Sequence, residues 1–254
     1  MLSKPIIKHI QRLKQKKYRK EYGEFLIEGV KGVGEALNSN SKISLILIEG
    51  KRRDEKGVEE LIIVANTKSV QIEFCGRGDI GDIKSTDTFP GVLAVVEEND
   101  VELDDLLYNK KPVVALDKIN DPGNLGTIIR TCDWFGITNI LLSEESVDPY
   151  NEKTVRSTMG SIFRENIYVS TKITQDLKVF KKQGYKIVLL DMKGKDVANI
   201  KPTEKTVYIF GSESHGVSSD LKELADEVYT IPGYGKADSL NLGVSVGILL
   251  SKIK

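Results

Sequence analysis

The sequence predicts an α/β protein in two parts, a small α/β domain followed by a larger layered α/β/α unit. Three observations carry that prediction. Short apolar runs alternate with amphipathic, helix-like segments along most of the chain. In the second half the runs are unbroken and rich in β-branched residues or leucine, as expected of parallel strands covered on both faces. An acidic, turn-poor stretch from Glu97 to Asp105 separates the halves, which places the expected domains at 1–100 and 106–254. With 254 residues, 40% of them apolar, the chain can close one large core or two ordinary ones.

The elements follow in order. Residues 1–20 hold Lys4, Lys8, Arg12, Lys14, Lys16, Lys17, Arg19 and Lys20 and no acid, although the whole chain balances 37 basic against 37 acidic residues. Pro5 suits a helix's first turn, and Ile6, Ile10 and Leu13 fall at helical spacing, so one amphipathic helix with a cationic outer face is expected. Such a face is either simply solvated or a phosphate contact, because clustered Lys and Arg displace condensed counterions. The candidates are Lys14, Lys16, Lys17, Arg19 and Lys20, joined by Arg52 and Arg53 from the run Lys51-Arg52-Arg53. Strands are expected at Phe25–Ile27, Ile43–Ile48, Val70–Phe74 and Gly91–Val96, with helices around Val30–Leu37 and Val58–Leu61. Beyond the boundary, strands are expected at Val113–Leu116, Asn139–Leu142, Asn166–Val169, Ile187–Leu190, Val207–Phe210 and Val228–Ile231.

Several function classes drop out at this point. The longest uncharged stretch, Ser239 to Ser251, falls short of the roughly 18 residues of a membrane span. No secretory core follows Met1, so a cytoplasmic protein without a membrane partner is expected. Cys75 and Cys132 lie far apart and only two histidines are present, so neither a disulfide framework nor a metal site is expected. Gly76-Arg77-Gly78-Asp79-Ile80-Gly81 fits GxGxxG, but the following Asp82 to Asp87 offers no apolar face for a βαβ helix, and the segment reads as a glycine loop. Ser212-Glu213-Ser214-His215-Gly216 lacks the first glycine of a nucleophile elbow.

Three segments share a more informative property: each joins a strand end to a helix start and mixes glycine with an amide or an acid. They are Asp121-Pro122-Gly123-Asn124-Leu125-Gly126, leading to a helix Thr127–Phe135 with Arg130; Gly211–Gly216; and Ile231-Pro232-Gly233 ahead of Ser239-Leu240-Asn241. In a parallel sheet all three collect at the carboxyl edge, where ligands bind in such folds. A composite site is expected there.

On these residues the chain resembles the SpoU (TrmH) family of S-adenosylmethionine-dependent RNA ribose 2′-O-methyltransferases of the SPOUT superfamily. Asn124, Gly126 and Arg130 are similar to its first motif, Gly211, Glu213 and Gly216 to its second, and Ile231, Pro232, Ser239, Leu240 and Asn241 to its third. The N-terminal third is similar to the RNA-binding domain that many members carry. The resemblance implies a C-terminal α/β/α SPOUT domain with a deep trefoil knot, a homodimer, S-adenosyl-L-methionine as cofactor and RNA as partner, with ribosomal RNA favoured over tRNA. It places Gly211, Ile231, Leu240 and Leu190 at the cofactor, and Arg130, Asn124, Glu213, Asn241 and Ser239 at the chemistry. Ser214, Gly233 and Gly243 depart from the commoner family residues without removing a motif anchor.

Methyl transfer from a sulfonium to a ribose hydroxyl is an in-line displacement that needs positioning and stabilisation of the incipient alkoxide. An arginine is effectively always protonated, which favours Arg130 as a guanidinium fork on the target phosphate, with general base as the alternative. The rival from another class is an RNA-binding factor that keeps the fold without catalysis.

Overall fold

The structure, a computed structural model, describes residues 2–83, 89–108 and 110–253. The chain forms two compact units: residues 1–99 with 150–163, and residues 100–149 with 164–254.

The first unit opens with α1 (Lys4–Leu13) and α2 (Lys16–Tyr22), where the sequence reading expects one helix. Gln15 takes extended backbone, with φ −104° and ψ 131°, and breaks the run. Then follow β1 (Glu24–Glu28), α3 (Val30–Asn38), β2 (Ile43–Glu49), α4 (Lys56–Thr67), β3 (Ile72–Cys75), α5 (Arg77–Ile83) and β4 (Val92–Glu97). The strands lie in the order β1-β4-β2-β3, with β4 antiparallel to both neighbours and β2 parallel to β3. Period-two alternation sends Phe25 and Ile27 to one face, under Val33, Ala36 and Leu37 of α3 and Val58 and Leu61 of α4. It sends Leu26, Leu45, Leu47 and Leu93 to the other, where Ile10 and Leu13 of α1 pack.

The GxGxxG segment is not a plain loop. Residues 77–83 form α5, whose start is held by Asp79, accepting from the backbone N–H of Gly76 at 2.9 Å and of Leu2 at 3.1 Å. A carboxylate thus stands where a dinucleotide fingerprint needs room for a pyrophosphate. Lys84 to Asp87, part of that reading, lie outside the described residues.

The second unit runs through α6 (Leu103–Tyr108), β5 (Val113–Asp117), α7 (Pro122–Trp134) and β6 (Asn139–Ser143). The chain next contributes α8 (Glu152–Thr158) to the first unit, although this stretch falls inside the expected second domain. The reason is apolar: Val155 is buried in the first unit's core and the Tyr150 ring lies 4.7 Å from that of Phe25. The second unit resumes with β7 (Asn166–Ser170), α9 (Ile173–Lys182), β8 (Lys186–Asp196), β9 (Thr206–Gly211), α10 (Ser219–Lys222), β10 (Glu227–Thr230) and α11 (Leu242–Ile253). Its six strands are ordered β10-β8-β9-β5-β6-β7, and every pair is parallel. Central β5 and β6 are buried at every position, which is why their sequences read as unbroken apolar runs. Among the described residues no helix is long and apolar enough to cross a membrane.

Candidate active site

β5 is the first strand of the six-stranded sheet, and the chain adds β6 and β7 on one side of it and β8 to β10 on the other. The strand order therefore reverses beside β5, and the crevice at its carboxyl end is where parallel α/β sheets bind ligands. Asp117 at the end of β5 is in register with Gly211 at the end of β9. The Asp117 carboxylate is buried and accepts the Ser218 backbone N–H at 2.8 Å, tying the loop after β9 to the end of β5.

Three sequence-predicted residues meet at this edge. α7 begins at Pro122, five residues before the expected start, because Pro122 suits the first helical position and Asp121 caps the turn, accepting from the Asn124 backbone N–H at 2.7 Å. The predicted loop 121–126 is thus largely the first turn of a helix, and that turn presents the Asn124 side chain. The Asn124 amide Nδ2 donates to Glu213 Oε1. Its Oδ1 accepts from Asn241 Nδ2 at 2.9 Å. Asn241 in turn caps α11, its Oδ1 accepting from the Val244 N–H at 3.3 Å. One amide couples the loops that follow β9 and β10 to the start of α7.

Three of the four residues expected at the cofactor lie in or directly after strands that are close together in the sheet. Leu190 is in β8, Gly211 closes β9 and Ile231 directly follows β10, and β8 pairs with both of the others. A Cβ on Gly211 would stand 2.1 Å from the Gly216 carbonyl carbon, and Gly216 itself adopts φ +66°. Only glycine fits at 211, and glycine is favoured at 216 by its left-handed backbone: the loop folds directly back on the end of β9. Nearby on this edge Met192, Tyr234 and Leu240 are exposed large apolar residues, a surface suited to a ligand with apolar parts.

Neither Arg130 nor Ser239 hydrogen-bonds to the amide cluster. Six residues beyond Asn124, Arg130 lies about 9 Å further along α7 and roughly a third of a turn around it. It is exposed and makes no side-chain hydrogen bond or ion pair among the described residues. Trp134, one turn on, is 84% exposed. Ser239 is exposed in the segment before α11. Ser214 Oγ lies 2.7 Å from His215 Nδ1, yet among the described residues no carboxylate holds that imidazole, so the pair lacks the third member of a hydrolytic triad.

The basic residues divide. Arg19 is a correction: it is 2% exposed and donates to the Leu13 carbonyl oxygen at 2.8 Å, bridging the break between α1 and α2. Arg52 is partly withdrawn, bound to Glu55 and to the Pro90 carbonyl oxygen. Arg53 lies over the Phe74 ring at 5.2 Å. Lys16, Lys17 and Lys20 remain exposed, and Lys14 is half-buried. Sequence reasoning missed Asp121 and Asp117. A cap of Asp followed by Pro would have revealed Asp121, whereas Asp117 is an ordinary strand-ending acid until β9 is placed beside it.

Comparison with known proteins agrees with this geometry. Residues 111–251 match the model of the SpoU rRNA methylase family, and residues 4–94 match that of the MRM3-like substrate binding domain. Over 98% of its length the chain is 30% identical to the 23S rRNA (guanosine(2553)-2′-O)-methyltransferase RlmP of Bacillus subtilis, covering 95% of that protein. It is 29% identical, over 88% of its length, to the 23S rRNA (uridine(2479)-2′-O)-methyltransferase of Streptomyces viridochromogenes, covering 79% of it. Among solved structures, the AdoMet-bound rRNA methyltransferase from Sinorhizobium meliloti aligns with a TM-score of 0.84 at 32% identity, over all of this chain and 95% of that one. With three ligand-edge loops joined through Asn124 and a family model spanning residues 111–251, the chain belongs to the SpoU rRNA methylase family.

Proposed function

We propose that this protein transfers a methyl group from S-adenosyl-L-methionine to a ribose 2′-hydroxyl of structured RNA, with ribosomal RNA as the substrate. The observation that carries the reading is the Glu213–Asn124–Asn241 chain of side-chain hydrogen bonds at the carboxyl ends of β5, β9 and β10. It joins residues from all three family motifs into one unit. Relatives named as 23S rRNA 2′-O-methyltransferases cover nearly the whole chain, which supports ribosomal RNA over tRNA.

The residues present fit the cofactor. Main chain around Gly211, where no Cβ can stand, together with Ile231, Leu190 and the exposed Leu240, would hold a ligand with both amide-binding and apolar parts. When bound, the cofactor supplies an electrophilic sulfonium methyl. Asn124, Glu213 and Asn241 act as positioning residues: with their hydrogen bonds made among themselves, they fix the two loops that surround the acceptor. Arg130, with no intramolecular partner among the described residues, keeps its guanidinium for the RNA, where it holds the phosphate beside the target ribose and stabilises the developing alkoxide. The hydroxyl proton leaves to that phosphate or to water. The homodimer and the knot are part of the same proposal and rest on the family.

The test is methyl transfer from radiolabelled S-adenosylmethionine to total ribosomal RNA and tRNA, purified from cells lacking the gene, followed by ribose-methylation mapping. Label at a ribosomal 2′-oxygen is expected. Label confined to tRNA would move the substrate, and cofactor binding without transfer to any RNA would favour the non-catalytic RNA-binding factor.

A further inference from the structure

A cavity lies wholly within the first unit. A pocket of about 390 Å³, in the range of small-ligand sites, opens where β1 ends and α3 begins, with α8 opposite. Glu28, Lys31, Arg52, Glu152 and Arg156 supply its charges, and Val30, Pro90 and Met159 part of its apolar wall.

Two features of its lining are unfinished. The Glu28 side chain is only 8% exposed; its Oε2 meets Arg156 Nη2 at 3.2 Å, while Oε1 is buried with no hydrogen-bond partner. A buried carboxylate oxygen is normally satisfied, so this one is an acceptor awaiting a donor. The amino end of α3 has no side-chain cap and no acid in its first turn. The N–H groups of Val30, Lys31 and Gly32 therefore have no helical acceptor, the arrangement that favours a phosphate. Lys31 is exposed beside them, and Arg52 is held in place by Glu55 and the Pro90 carbonyl oxygen. Three cations against two acids leave the lining with one net positive charge.

A donor-bearing edge, a flat apolar body and an anion are the parts of a nucleotide. We propose that this pocket receives one unpaired nucleotide of the RNA substrate, the amino group of its base donating to Glu28 and its phosphate lying against the amino end of α3 with Lys31. The inference rests on the reading of the chain as an RNA methyltransferase. It assigns to the first unit a nucleotide-reading role that the exposed lysines of its basic helices, which offer only positive charge, do not supply. Adenine, cytosine and guanine carry the amino group and uracil does not, so the pocket discriminates against uracil.

The test uses the full-length protein and fluorescein-labelled A, C and U oligomers of about ten nucleotides, a length that spans an ordinary single-strand site. Anisotropy titrations compare wild type with Glu28→Gln and Lys31→Ala at several salt concentrations. Wild type should prefer the A and C oligomers over U by about 5–10-fold, the scale of one base-edge contact, and Glu28→Gln should level that preference. Lys31→Ala should weaken all three alike and lower the salt slope by about one. Equal wild-type affinities for the three oligomers, or variants that change neither preference nor slope, would overturn the proposal. So would cytidine monophosphate binding that Glu28→Gln abolishes while oligomer affinity stays unchanged, since the pocket would then serve a free nucleotide. Failure of the wild type to bind any RNA would instead remove the methyltransferase reading beneath it.

Discussion

Replacing Glu165 with glutamine should change how this protein's stability depends on pH. Glu165 precedes β7, is 3% exposed, and has both carboxyl oxygens buried without a hydrogen-bond partner. Burial, and secondarily the Asp133 carboxylate, push it up to about 8, with Arg164 and Lys111 acting in the opposite sense. An ordinary glutamate titrates near 4.5. Below that value folded and unfolded chains both hold the proton, and the group has no differential effect. Between about 4.5 and 8 the unfolded chain releases its proton while the folded one keeps it, so stability falls by roughly 1.4 kcal/mol per pH unit. Above about 8 the loss levels off, at an upper bound of roughly 4–5 kcal/mol. Glutamine cannot ionise, but it brings two buried donors whose desolvation costs about 1–3 kcal/mol. The variant should therefore be no more stable than wild type at pH 5 and more stable by about 2 kcal/mol at pH 9. Urea unfolding at pH 5, 7 and 9 measures both. Parallel pH profiles for the two proteins would show that Glu165 ionises normally in the folded state and would refute the reasoning.

Further outcomes follow from the candidate site and the surface. Arg130→Ala should leave S-adenosylmethionine affinity intact by isothermal titration while single-turnover methyl transfer falls by at least ~100-fold, and Arg130→Lys, which lacks the planar fork, should stay severely impaired. Asn124→Ala removes the partner shared by Glu213 and Asn241, so cofactor affinity and transfer should fall together, with an expected loss of about tenfold or more in each; an unchanged cofactor Kd would separate the cluster from the cofactor loops. Charge reversal at Lys16 and Lys17, both exposed, should weaken RNA binding and reduce its salt slope by about two. That is a cleaner test than deleting residues 1–99, which would strip the core from around Val155, Tyr150 and Phe163. Sedimentation equilibrium at micromolar concentration should show twice the 28.2 kDa of one chain, with the exposed Trp134 of α7 and Val244 of α11 near the contact; a species of single-chain mass alone would remove the dimer.

The positions of the strands along the chain were legible in both halves, because each apolar run has one periodicity and one place to be buried. Ile43 to Ile48 and Val113 to Leu116 could be read as strands before any contact was known. The three loops that meet through Asn124, Glu213 and Asn241 were legible too, since their glycine and proline neighbours mark strand-to-helix turns. The rest depended on contacts between residues far apart in the chain. Arg19 and Lys16 are indistinguishable in a list of basic residues, and the break at Gln15 turns one inward to the Leu13 carbonyl and leaves the other in water. Residues 150–163 read as part of the second half until Val155 and Tyr150 find the core around Phe25, a choice settled by apolar packing between residues more than a hundred positions apart. Asn124 could be a cap, a ligand or a catalyst on its spacing alone. Its role as a link came from placing β9 beside β5 and β10 two strands beyond, which brings Glu213 and Asn241 from 89 and 117 residues away to the two ends of one amide.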